Sequence, residues 1–292
     1  MTNINLHDIF RHITNDNNFL STVIEVDQFK NVGKKIKKNK FNIMENMVTE
    51  YIPLSPYETQ DFSFLPHCVK PYVGSNYKRL GIRNIMEKNL SAINISFLNS
   101  FNVLLRPDIY QLNLDDHIKN YLLLETFVRH KIHRNFQIDK VKNTKKVQAI
   151  NQELIRNLSE GKISHDLIQY MVNIFEINLL IFDFTKMEIS LYWCKGHKNP
   201  YFNLFKNIYS MSYIHGNYEP IISLEENISE QTRQNIYIQI LTHLSDITCI
   251  TPIKLSCYSL LYLASWNISI DVYTDIYNIF FKNKIHDISM IN

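Results

Sequence analysis

Residues 164 to 223 carry one helical pattern and then four strand patterns, and this order limits the fold more than any other feature of the chain. In "SHDLIQYMVNIF" Ser164 can cap the first turn, and Leu167, Ile168, Met171, Val172 and Phe175 recur at the spacing of one helix face. The run "NLLIFDF" then reads as a buried strand, "MEISLYW" answers it across a Thr185-Lys186 turn, and "IYSMSYI" and "NYEPIIS" supply two more strands. Helices followed by clustered strands predict an α+β domain, with helices packed on a small, mostly antiparallel sheet. At 292 residues and 45% hydrophobic side chains the chain can bury a substantial core.

Upstream, "SFLNSFNVLL" predicts a buried helix starting at Ser96, whose hydroxyl stands where an N-cap would satisfy orphan amides. A second helix is expected over "NLDDHIKNYLLLETFVRH". Asn113 can cap it, Asp115 and Asp116 suit its positive end, and Ile118, Tyr121, Leu122, Glu125 and Val128 share a stripe with Glu125 at the edge. Residues 1–84 read as an N-terminal arm with two turn-rich stretches, "KNVGKKIKKNK" and "YIPLSPYETQDFSFLPHCVKPYVG". The lysine run at 34 to 40 is either a solvated loop or a polyanion-binding patch. Residues 85–225 form the α+β core, and residues 226–292 return to helical patterning as a C-terminal module.

Charge narrows the partners. Lys and Arg total 31 against 28 Asp and Glu, a net charge of +3, so no global field draws the chain onto nucleic acid. Locally, Arg129, Lys131, Arg134, Lys140, Lys142, Lys145 and Lys146 face the single acid Asp139 between residues 126 and 150. That cluster is either the solvated side of a helical hairpin or a surface for an acidic partner. Beyond residue 223 acids lead, seven to four, and this region can meet the basic cluster of its own chain or of a neighbour.

Other chemistry classes find little support. The cysteines at 68, 194, 249 and 257 lack CxxC pairs and histidines at ligand spacing, which argues against zinc. No phosphate loop or other cofactor motif is present, so no cofactor is expected. The most apolar run, "MVNIFEINLLIFDF", is broken by Glu176, Asn178 and Asp183, and the first residues lack an apolar leader segment, so neither a membrane span nor a signal peptide is expected.

The stretch "SYIHGNYEPI", residues 212 to 221, puts Asn217 where a catalytic strand would carry a base. An amide has no usable pKa and only donates or accepts hydrogen bonds. The order of "NISFLNSFNVLL", helices, "SHDLIQYMVNIFEINLLIFDF", "MEISLYW" and "MSYIHGNYEPI" resembles the ovarian-tumour (OTU) type cysteine proteases over roughly residues 85 to 225. More narrowly, it is similar to the OTU-related proteins of large nucleocytoplasmic DNA viruses. The resemblance implies a papain-type frame, in which Ile93, Asn94, Ile95 and Ser96 stand at the D-G-N-C motif and Asn217 at the histidine, 121 positions later.

Every chemical position of that motif is changed. A cysteine at a helix N-terminus beside a protonated histidine becomes a reactive thiolate, whereas a serine hydroxyl needs a base. Asn217 is no base, so Ser96 is expected to cap a helix, and His215 replaces Asn217 only if the strand slips in register. The resemblance therefore implies a non-catalytic protein of a virus particle, a minor capsid or inner-shell component meeting other viral structural proteins. Its locations would be the virion and, during infection, the host cytoplasm. Two alternatives stay open: a pseudo-deubiquitinase binding ubiquitin or a related modifier, with the helical arm at 113–150 where the family holds its substrate, and an active hydrolase using Ser96.

Overall fold

Every side chain from Asn178 to Phe182 is buried, which a strand achieves only when both faces of its sheet are covered. Leu179 and Ile181 face one core and Leu180 and Phe182 the other, following the two-residue period of a strand. The computed structural model describes residues 62–63, 65, 69–74, 76–82, 85–88, 91–107, 114–138, 145–195, 201–214, 216–223, 229–250 and 253–280.

Strand β1 (Phe62–Ser63) is followed by a short helix α1 (Lys70–Val73), β2 (Tyr77–Leu80) and the hairpin β3 (Ile85–Lys88) and β4 (Ser91–Asn94). Helices α2 (Ser96–Leu105), α3 (Leu114–Ile138), α4 (Lys145–Glu160) and α5 (His165–Phe175) come next. Then run β5 (Asn178–Asp183), β6 (Glu188–Trp193), β7 (Ile208–Ile214) and β8 (Asn217–Ser223). The remainder holds α6 (Glu230–Thr242), β9 (Ile247–Cys249), α7 (Cys257–Ala264) and α8 (Ile270–Phe280).

The protein is α+β, with a sheet in the order β1-β2-β8-β7-β5-β6-β9. Its neighbours are antiparallel except β5 with β7 and β6 with β9. This sheet is larger than the small one expected and crosses both expected boundaries. Strands β1 and β2 come from the stretch read as an arm, and β9 from the stretch read as helical. The pattern hid them because Lys78 and Arg79 interrupt apolar alternation in β2, and three residues are too few to display a period in β9.

Helices α2 to α5 and the small hairpin pack on one face, around residues such as Phe101, Val128, Leu154 and Met171. Helices α1, α6, α7 and α8 cover the other, around Phe182, Trp193, Tyr237 and Phe280. The acidic C-terminal helices therefore lie across the sheet from the basic helix α3, and the described residues do not bring the two together within one chain.

Local chemistry matches several expectations. The Ser164 hydroxyl accepts the N–H of Leu167 at 3.2 Å and starts α5. Asp183 Oδ1 accepts the N–H groups of Thr185 and Lys186, each at 2.9 Å, and shapes the β5–β6 turn. In α3 the inward face is rotated from the expected one. Tyr121, Leu124, Glu125, Val128 and Ile132 are buried, while Leu122 is 40% exposed. Glu125 is not at the edge; it tolerates burial because Arg129, one turn on, binds its Oε1 at 2.5 Å. Asn113 lies outside the described residues.

The C-terminal helices are tied to the sheet by a buried polar link. Asn178 donates to the Tyr237 hydroxyl at 2.7 Å and to the Asn203 carbonyl at 3.1 Å, and Tyr237 donates to the Lys206 carbonyl at 2.6 Å. Tyr237 is fully buried, so each of these polar groups needs its partner.

Candidate functional site

The site grows from the end of β4. Asn94 Oδ1 accepts the Ser96 N–H at 2.9 Å, an Asx-type turn that releases the chain into α2. The Asn94 amide reaches across to the Gly216 carbonyl at 2.8 Å and to Asn217 Oδ1 at 3.3 Å. Gly161, just past α4, closes on this corner with φ of +65°. A Cβ there would lie 2.6 Å from the Asn94 carbonyl oxygen and 2.5 Å from Ile93 Cγ2, so only glycine fits.

Helix α2 is buried from Ser96 to Leu104 and lies against β8. Its N-cap is Ile95, without a side-chain capping bond, and not Ser96 as expected. Ser96 is already the first helical residue: Asn94 Oδ1 accepts its N–H, and the Asn99 N–H that a Ser96 cap would take goes to the Ile95 carbonyl at 3.0 Å. The Ser96 hydroxyl accepts the Tyr218 N–H at 3.0 Å. One turn later Ser100 Oγ donates to the Tyr218 carbonyl at 2.9 Å. The two serines, four residues apart on one helix face, thus hold both backbone groups of a single strand residue.

Pro220 explains why that edge is available. Strand β2 pairs with β8 only from Ile221 to Ser223, and proline has no N–H to continue a ladder. Past that point α2 takes over as partner of β8. Phe97 sets its ring edge-on to Tyr218 at 5.0 Å, and Tyr213 lies 4.7 Å from it.

The opposite side of β8 carries charge. Arg79 and Glu219 are fully and nearly fully buried, with Nη1 to Oε2 at 2.5 Å. Arg79 also donates to Ser63 Oγ at 2.9 Å, and Ser212 Oγ lies 3.4 Å from Glu219 Oε2. The pair joins β2 to β8 diagonally and fixes the register that presents Asn217 and Tyr218 to α2.

The sequence-predicted residues Ser96 and Asn217 are thus brought to one corner, through Asn94 and Tyr218. Ser96 is completely buried, and among the described residues no histidine hydrogen-bonds to it. His215 lies outside the described residues. His165, the first residue of α5, pairs through Nδ1 with the Tyr192 hydroxyl, and its ring stacks on that of Tyr192 at 5.9 Å. Burial pushes the Tyr218 phenol well above its usual range, helped by Tyr213, Tyr192 and Asp183, and burial with Asp183 does the same to Tyr192. These phenols stay protonated, and that of Tyr192 pairs with His165.

Thiolate chemistry is equally disfavoured where the cysteines are described. Burial raises the Cys194 thiol and pushes Cys249 up to about 12. Among the described residues no three His, Cys, Asp or Glu side chains gather as metal ligands would, and no described helix is long and apolar enough to cross a membrane.

The basic residues divide. Arg129 is bound to Glu125, whereas Lys131 is part-exposed and Arg134 exposed on the outer side of α3. Lys145 and Lys146 fall in the first turn of α4, and Lys140 and Lys142 lie outside the described residues. Sequence reasoning missed Asn94 as the capping group, Ser100 and the Arg79–Glu219 pair. The signals were a Ser96–Ser100 spacing of one turn and an acid inside an otherwise apolar strand.

Compared with known proteins, the chain is 60% identical over 287 residues to the uncharacterized protein R379 of Acanthamoeba polyphaga mimivirus, covering 97% of this chain and 94% of the viral protein. The chain belongs to the family of that viral protein. No family model matches this family member, and no solved structure does.

Proposed function

We propose that the chain is a non-catalytic structural protein of a large DNA virus particle, a minor capsid or inner-shell component on an OTU-like protease frame with substituted catalytic positions. The observation that carries this reading is the pair of hydrogen bonds that hold Tyr218, whose N–H is accepted by Ser96 and whose carbonyl takes the Ser100 hydroxyl. A nucleophile needs an accessible hydroxyl beside a base. Ser96 is buried, holds a strand amide, and has the amide Asn217 at the expected base position. The mimivirus relative supports a viral setting, with the virion and the infected cytoplasm as the places to look and other viral structural proteins as the partners.

Quantitative mass spectrometry of detergent-stripped particles tests it. A fixed copy ratio to the shell proteins is expected; absence from stripped particles overturns the structural role. One observation favours a second reading, a pseudo-deubiquitinase that grips a modifier without cutting it: the hydrogen bonds of Asn94 to Gly216 and Asn217 lie at the surface, beside half-buried Tyr218. Saturable binding of purified ubiquitin, abolished by Asn217→Arg, would select it.

A further inference from the structure

Helix α3 turns an apolar and basic stripe outward. Leu122, Leu123 and Phe127 are 40%, 67% and 43% exposed, and Thr126 and His130 are exposed between and beyond them at the spacing of one helix face. The Lys131 ammonium lies 5.2 Å from the centre of the Phe127 ring, and Arg134 follows, exposed. The single acid in this part of the helix, Glu125, faces the core and is neutralised by Arg129.

Helix α8 turns outward the opposite charge beside one exposed apolar residue. Ile270 is 46% exposed, and Asp271, Thr274 and Asp275 are exposed beside it. Its sequence, "IDVYTDIYNIF", contains no Lys or Arg. Among the described residues, Lys131, Arg134, Asp271 and Asp275 are in no ion pair.

The two stripes belong to helices on opposite faces of the sheet, so one molecule does not join them. Two molecules do. We propose that α8 of one copy docks on α3 of another, Ile270 against the Leu122, Leu123 and Phe127 surface, and Asp271 and Asp275 against Lys131 and Arg134. Different patches meet in this contact, so each complex keeps an unused α3 at one end and an unused α8 at the other. Such a heterologous contact closes into a ring or grows into a filament, and does not stop at a two-fold dimer. The inference goes beyond the proposed particle role and does not depend on the fate of the catalytic positions.

Sedimentation velocity of the full chain, over a concentration series at low and high salt, tests it. Expected is concentration-dependent growth beyond the dimer at low salt that weakens at least tenfold at high salt, where exposed charges are screened. K131A/R134A and D271N/D275N should each be monomeric alone. Mixed, they should give a 1:1 complex that grows no further, because only one intact α3 and one intact α8 remain. Leu123→Gln, at a highly exposed position, should weaken association without lowering the melting temperature. A monomer under all conditions, assembly untouched by either double variant, or a mixture that fails to pair overturns the contact. Detection in particles is a separate measurement, so failure here leaves the particle role to be judged on its own.

Discussion

On the α2 side of β8 two serine hydroxyls grip the backbone of Tyr218, whereas on the opposite side Glu219 meets the guanidinium of Arg79. The two residues are neighbours in sequence and face different cores. Neutral hydrogen bonds hold the first, each contributing about 0.5–1.5 kcal/mol, and can be lost singly. The second is a buried ion pair, weakly stabilising as a whole but costly to halve, since one charge is then left without its counterion. The strand is therefore anchored on the charged side and fine-positioned on the hydroxyl side.

Removing one half of the ion pair should produce the largest effect. Glu219→Ala is expected to lose about 3–5 kcal/mol in denaturant unfolding, with Glu219→Gln losing less because an amide still accepts from Arg79. Equal losses in the two variants would show that the charge is not what anchors the strand. Next comes Gly161→Ala, which adds a Cβ against the Asn94 carbonyl at a left-handed φ, and a loss of about 1–3 kcal/mol is expected. A variant as stable as the parent would mean that the corner of Asn94 and Ser96 gives way freely.

Strands β5 to β8 and helix α5 are legible because their apolar residues repeat with a clear period, and Ser164 announces its cap. Arg79 and Glu219 are illegible alone, since each reads as a surface charge until β2 is known to lie beside β8. Ser96 and Asn217 were legible as candidates, and the structure brings both to one corner. The role of Ser96 was not, because the choice between cap and strand clamp turns on whether the helix begins at Ser96 or one residue earlier, and the Ile95 carbonyl already takes the Asn99 N–H.

Smaller effects sharpen the hydroxyl side. Asn217→Ala should lose less than about 1 kcal/mol in thermal melting, because its 3.3 Å contact with Asn94 lies at the surface where water replaces it. A larger loss would give Asn217 a structural weight that its setting denies. Least of all is the surface pair of Glu230 and Arg233. Hydrogen bonding from Arg233 holds the Glu230 carboxyl below its usual range, so the stability it adds is present above the unfolded pKa and lost as pH falls through the lower folded one. Melting temperatures of the parent and Glu230→Gln should therefore differ slightly at neutral pH and converge below about pH 4. A difference that grows with acid would reverse the sign.

The measurement closest to the centre is amide hydrogen exchange at Tyr218, followed by NMR in the parent and in Ser96→Ala. If the Ser96 hydroxyl is a structural acceptor, the parent amide is protected and the variant exchanges at least several-fold faster there, with other β8 amides much less changed. Unchanged protection of Tyr218 in the variant would contradict this, since the hydroxyl would then be free of the strand and open to another use.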